Sequence, residues 1–275
     1  RNQDYKIDIH GTIEVHSKKD LVLQSILLFP IYGALILFVW KLTGHPLNLI
    51  SLSISWILIA GLSGVFISNL IQCLKFNLSR IENSETEKKI YPFSQIAILS
   101  LVYSLTFGSE LAVVSIFPQF LETTFSISIE LAGVLGASYA FMNLVARPGG
   151  GWISDRFGRR RTLSLLVFGG LVSHWFIGEI NSNWQLSSAI ALSLIGSIFF
   201  KAGNGACFAA VPLIHKDLTG KMAGLAGAYG SIGAVCFLTL YSFVSPQDFF
   251  KIISAYAFLV FLALFFLKPF QGTST

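Results

Sequence analysis

The sequence predicts an all-α, polytopic membrane protein, and three observations carry that reading. Apolar residues make up 53% of the 275 residues and charged residues only 12%, about half the charge that a soluble surface carries. Uncharged runs of roughly 20 residues, enough to cross about 30 Å of hydrocarbon as a helix, recur along the chain. These runs are continuous rather than alternating, which selects helices over the strands of a closed barrel. A soluble enzyme, a nucleic-acid binder and a secreted disulfide scaffold are thereby excluded. The net charge of +5 and the pI near 9.1 reflect the Lys/Arg bias of membrane-protein loops rather than an anionic polymer as partner. Cys73, Cys207 and Cys236 lie in or beside apolar runs without metal-like spacing and read as small buried hydrophobes, so neither metal nor cofactor is expected.

Taken in order, a polar segment 1–20 precedes spans at 21–41 and 50–74, and the polar stretch 75–92 follows them. Six further spans are expected at 94–120, 128–153, 163–179, 187–213, 222–244 and 250–267, with a short tail at 268–275. The stretch 75–92 thus divides a pair (21–74) from a set of six (93–267), the size of one lobe of a two-lobed transporter. The chain begins with Arg1 and shows no targeting peptide, so it reads as a piece of a longer polypeptide. With the first segment cytoplasmic, 15 Lys and Arg fall on inside segments and only Lys41 and Lys251 outside, which places both ends in the cytoplasm. Asn77-Leu78-Ser79 has the form of a glycosylation triplet but falls on an inside segment, where it is expected to stay unused.

The two basic residues outside that count, Arg147 and Lys201, sit within spans, as does Glu110. Counted from Asp155 at a membrane boundary, Arg147 lies about 12 Å deep. A guanidinium there costs at least about 2.5–3.5 kcal/mol, so it should face a cavity or a partner. Its planar fork of donors suits a planar oxyanion; snorkelling, or pairing with an acid, is the competing reading. Asn143 and Tyr139, four and eight residues earlier, extend a polar stripe that either orients a ligand or satisfies the arginine. Glu110 shares a helix face with Tyr103 and Phe107, and either carries a coupling proton or balances Lys201 or Arg147. Lys201, near Asn204, either draws anions into a pore or forms an internal ion pair.

Gly224, Gly227, Gly230 and Gly233 recur at three-residue intervals, a ridge that permits close helix approach and leaves backbone exposed to a ligand. In GGWISDRFGRRR, Asp155 stands at a helix end beside Arg156, Arg159, Arg160 and Arg161. That loop is either a topology determinant facing anionic headgroups or a gate latch in which Asp155 gains and loses an arginine partner.

Gly151, Asp155, Arg156, Gly158, Arg159 and Arg160 resemble the cytoplasmic signature of the major facilitator superfamily, in the copy between the second and third helices of its second half. The stretch from YSLTFGSELAVVSIFPQF through LAGVLGASYAFMNLVARPGGGWISDRFGRRR to AGNGACFAAVPLIHKDLTGKMAGLAGAYGSIGAV is similar, more narrowly, to the nitrate/nitrite porter family and its bacterial and cyanobacterial permeases. The resemblance covers about 93–267. It implies two pseudo-symmetric lobes of six helices that hold nitrate or nitrite between an arginine from each, in the inner or plasma membrane, with protons as a further candidate partner. Arg147, in its Ala-Arg-Pro-Gly-Gly-Gly context, falls at the second-half substrate arginine. The second glycine-rich motif matches 223–234, with Gly230-Ser231 where the family has Gly-Asn; Asn143, Tyr139, Gly227, Gly230 and Ser231 complete the implied substrate residues. Lys201 departs from the family pattern.

The first-half arginine and first glycine-rich motif have no counterpart, and the spans at 21–74 are similar to an extra pair inserted between lobes. The chain is accordingly expected to be a C-terminal part, with a six-helix N-terminal lobe as its missing partner. The residues leave open a facilitator for another small anion or an organic acid, and a non-transporting membrane fragment.

Overall fold

The computed structural model describes residue 15 and residues 17–44, 48–82, 92–215 and 218–269. Expectations for 1–14, 83–91, Lys216 and 270–275 lie outside the described residues. All regular structure among the described residues is helical: α1 (Lys18–Thr43), α2 (Leu52–Glu82), α3 (Phe93–Phe125), α4 (Ile129–Phe141), α5 (Asn143–Phe157), α6 (Arg159–Ile177), α7 (Leu186–Ala210), α8 (Thr219–Tyr241) and α9 (Pro246–Leu264). The chain forms two compact units, meeting in sequence between Phe93 and Ser94.

In the first unit, Ser17 caps α1 by accepting the Asp20 N–H at 3.0 Å, and Asp20 places negative charge in the first turn, where the helix dipole favours it. Tyr32 of α1 accepts a hydrogen bond from the Asn69 amide of α2 and packs on Phe66, with ring centroids 5.2 Å apart. α2 does not stop near 74 as expected from hydropathy; it continues to Glu82. Buried Asn77 ties this extra length down, since its Oδ1 accepts the Val15 N–H at 2.9 Å and its Nδ2 donates to the Cys73 carbonyl at 3.0 Å and to Gln24 Oε1 at 3.5 Å. A side chain so engaged is not offered as a glycan acceptor.

The second unit is built on α3, whose 33 residues extend about 50 Å, well beyond the hydrocarbon thickness. Several expected boundaries shift by a few residues, α3 running to Phe125 rather than 120 and α8 spanning Thr219–Tyr241 rather than 222–244, and two changes alter the outline. The span at 128–153 is interrupted at Met142, giving α4 and α5, so eight expected segments become nine α-helices among the described residues, with a 3-10 turn at Val211–Leu213 after α7. The break coincides with Asn143, whose side chain is engaged across the unit; farther on, Pro148 removes one backbone donor from α5. α6 starts at Arg159 rather than 163, directly after Gly158, whose φ of +94° turns the chain between α5 and α6. Seven segments, with α4 and α5 taken as one, are long and apolar enough to cross a membrane. α6 is not among them, as it carries three arginines in its first turn.

Helices gain little hydrophobic attraction for each other inside lipid, so their approach depends on small residues. A side chain at Gly150 of α5 would overlap the Ala202 backbone of α7, and one at Gly205 of α7 would overlap the Arg147 carbonyl. Gly108 of α3 meets Gly233 of α8, where an added Cβ would fall 2.7 Å from the Gly233 carbonyl carbon. The expected α8 ridge therefore divides: Gly230 and Gly233 face α3, while Gly224 and Gly227 meet nothing within 4 Å. Gly205→Val should accordingly destabilise the unit by about 1–3 kcal/mol through overpacking. Gly149→Ala, at an open helical position, should be neutral or stabilising by up to about 1 kcal/mol. Thermal unfolding of the detergent-solubilised variants measures the contrast, and equal behaviour of the two would contradict it.

Candidate functional site

Two polar clusters lie along one face of α3. The first surrounds Arg147. Its Nη2 donates to the Tyr103 hydroxyl at 2.6 Å, and its guanidinium carbon stands 5.5 Å from the Phe107 ring centroid. Tyr103 and Phe107, one turn apart on α3, stack at 5.0 Å with an interplanar angle of 7°, and Phe208 of α7 closes on Tyr103 at 4.6 Å. Gly230 makes room for this pair, because a Cβ there would sit 2.6 Å from Tyr103 and 2.8 Å from Phe107. Arg147 is only part-buried, and among the described residues no carboxylate comes within 4 Å of it. Its competing reading as half of an ion pair is thus not realised.

The second cluster is two turns farther along α3. Glu110 Oε1 accepts from Asn143 Nδ2 at 2.5 Å and from Lys201 Nζ at 3.0 Å, while Oε2 accepts from Asn204 Nδ2 at 2.5 Å. Lys201 is 0% and Glu110 4% exposed, so neither charge is solvated by water, and each is matched by the other. Tyr139 is buried with its ring centroid 4.6 Å from Lys201 Nζ, and its carbonyl accepts from Ser197 Oγ at 3.2 Å. Asn143 and Arg147 thus both face α3, at Glu110 and Tyr103, and neither Asn143 nor Tyr139 hydrogen-bonds to Arg147 among the described residues. Asn143 and Tyr139 contact the Glu110–Lys201 pair, and Arg147 reaches Tyr103.

On α8, Ser231 is exposed and turns its hydroxyl back on the Gly227 carbonyl at 3.5 Å; no hydrogen bond joins either residue to Arg147 among the described residues. At the junction of α5 and α6, Asp155 pairs with Arg159, which also donates to Ser154 Oγ at 3.0 Å. Arg160 donates to the Phe265 carbonyl at the end of α9 at 2.9 Å, and Arg156 lies 5.8 Å from the Trp152 ring. The pair is half-buried, with the Asp155 side chain 56% and the Arg159 side chain 11% exposed, so solvent screens the carboxylate far more than the guanidinium. The pairing of Arg147 with Tyr103, the place of Phe208 and the use of Asn204 escaped the sequence reading. The shared face of Tyr103, Phe107 and Glu110 was the available signal, but periodicity does not say which side chain of another helix meets each residue.

Residues 99–274 match the family model described as Major Facilitator Superfamily, more than half of the chain. The chain belongs to that superfamily. Among curated relatives of this superfamily member, the nitrate/nitrite transporter NrtP of Nostoc punctiforme is 38% identical over 96% of this chain and 54% of its own length. The protein of the same name from a Picosynechococcus species is 35% identical over 95% of this chain and 52% of its own. High-affinity nitrate transporter 2.3 of Oryza sativa subsp. japonica is 31% identical over 53% of this chain and 29% of its own. The chain thus spans about half the length of the cyanobacterial relatives it matches.

Glu110→Ala would leave the Lys201 ammonium buried without its counter-charge, so this change should cost about 3–5 kcal/mol of stability. Replacing both partners, as Glu110→Gln with Lys201→Met, should cost far less. Thermal melting of the purified variants tests the difference, and an Ala variant as stable as the parent would contradict it.

Proposed function

We propose that this chain is the C-terminal part of a nitrate/nitrite permease of the alternating-access type, contributing one of two half-sites. The observation that carries this reading is Arg147, a guanidinium inside a membrane-spanning segment, on an aromatic floor, with no carboxylate partner among the described residues. Of its five N–H donors, Tyr103 takes one, which leaves a donor edge for a planar oxyanion. Because the Tyr103 oxygen accepts from Arg147, its own proton is free to go to a second anion oxygen. Glu110, paired with Lys201, balances charge rather than carrying a coupling proton. Gly227 and Ser231 present a small-residue surface of α8 to the missing N-terminal lobe, while Gly230 acts from beneath, by seating the Tyr103–Phe107 pair.

The superfamily match begins at residue 99, whereas the match to the Nostoc relative takes in nearly the whole chain, α1 and α2 included. This supports reading 21–74 as an additional helix pair joined through 1–20 and 75–92 to a transporter lobe at 93–267. The missing partner is a six-helix N-terminal lobe supplying a second arginine. Both ends of the segment, the Asp155–Arg159 latch and the tail 268–275 face the cytoplasm, an orientation supported by the distribution of Lys and Arg.

In the complete two-lobed protein carrying this sequence, Arg147→Lys keeps the charge but loses the two-pronged geometry. Nitrate affinity should fall more than tenfold, about 2 kcal/mol. Uptake assays in which nitrite and chlorate compete with nitrate and dicarboxylates do not would support the planar-anion site; unchanged uptake by the Lys variant removes Arg147 from it. Cysteines placed at 156–161 should resist membrane-impermeant reagents applied outside intact cells, and labelling there overturns the orientation.

A further inference from the structure

We propose that Lys201 keeps Arg147 free for the anion by holding Glu110 away from it, so that Lys201 and Glu110 are positioning residues for anion binding although neither touches the anion. The proposal rests on reading Arg147 as an anion ligand.

α3 and α5 pair two residues apiece. Tyr103 meets Arg147, and Glu110 meets Asn143. Asn143 and Arg147 are one turn apart on α5, about 6 Å along the axis, within the reach of an arginine side chain. A carboxylate this near a guanidinium is its strongest available partner, because the two planar groups can join through parallel charge-assisted hydrogen bonds. A Glu110–Arg147 pair would occupy the same donor edge that an incoming anion needs.

The structure shows Glu110 occupied elsewhere. Three donors fill its two oxygens, one from α5 and two from α7, and the only cation among them is Lys201 at 3.0 Å. Lys201 is fully buried, and its ammonium also lies 4.6 Å from the Tyr139 ring, so no solvent ion can take its place beside the carboxylate. Two cations and one anion share this part of the unit, and with Glu110 matched to Lys201 the remaining positive charge resides on Arg147. Without Lys201 that surplus disappears. The acid has then lost its cation, and Arg147, one turn away, becomes the charge that compensates it. A purely structural pair would only hold α3 to α7; a sequestering pair also sets the affinity of a residue that belongs to neither helix.

The test uses the complete two-lobed permease carrying this sequence, reconstituted in liposomes, with nitrate as probe and KM and Vmax measured separately. Lys201→Met should raise KM about tenfold or more, the scale of one lost charge-assisted contact. Adding Glu110→Gln to it should return KM to within about threefold of the parent, since the competing acid is gone. If Lys201→Met does not reach the membrane folded, Lys201→Gln, which keeps a donor for Glu110, carries the same comparison. A Lys201 variant with the parental KM overturns the proposal, and so does a raised KM that Glu110→Gln fails to relieve, the result expected of a merely structural pair. Arg147→Ala, measured in parallel, separates the two levels: nitrate uptake indifferent to that change refutes the anion-site reading itself.

Discussion

A carboxylate inside a membrane-spanning lobe has to be satisfied by the protein, and most of the second unit can be read from how Glu110 meets that demand. Its two oxygens collect donors from α5 and α7, so one side chain of α3 fixes the relative depth of three helices. Hydrophobic burial is nearly indifferent to such depth in lipid, where a leucine against a helix and a leucine against an acyl chain differ little. Directional polar contacts therefore set the register that apolar packing leaves loose. Arg147, one turn from Asn143 on α5, stands outside this accounting, which makes it the deep charge with work left to do.

Small residues supply the other half of the arrangement. Gly150 and Gly205 bring α5 and α7 into backbone contact, and that closeness is what lets Asn143 and the α7 side chains Lys201 and Asn204 converge on a single carboxylate. Gly108 and Gly233 do the same for α3 and α8, and Gly230 leaves room for the Tyr103–Phe107 stack beneath Arg147. Gly220, Gly224 and Gly227 of α8 meet nothing within 4 Å and play no part in this packing.

Much of this was legible in the sequence, and the limits follow from the physics. Hydropathy finds helices because hydrocarbon length is a one-dimensional constraint, and it singled out Arg147, Glu110 and Lys201 because buried charge is rare. It misplaced the end of α2, since a polar stretch such as 75–82 remains a good helix former once Asn77 is anchored. It missed the break at Met142, because no glycine or proline marks that position. It left open whether Tyr139 and Asn143 orient a ligand or satisfy Arg147; both contact the Glu110–Lys201 pair, a choice set by α3 and α7. Which of Lys201 and Arg147 would take Glu110 was beyond it, because that choice depends on helices far apart in sequence.

The two interruptions that bound α5 have a mechanical consequence. The helix runs from the break at Met142 to the turn at Gly158, a short rod between two joints. Arg147 lies five residues from the first joint and Asp155 thirteen, so if the rod pivots about Met142 the arginine moves a little more than a third as far as the aspartate, about 7.5 Å of arm against 20 Å. Such a pivot would gear α5 as a lever, with the long arm at the Asp155–Arg159 contact and the short arm at the guanidinium. A swing of several ångströms at the basic loop would then become a displacement of only two or three where Arg147 sits, the scale on which a hydrogen bond is made or broken.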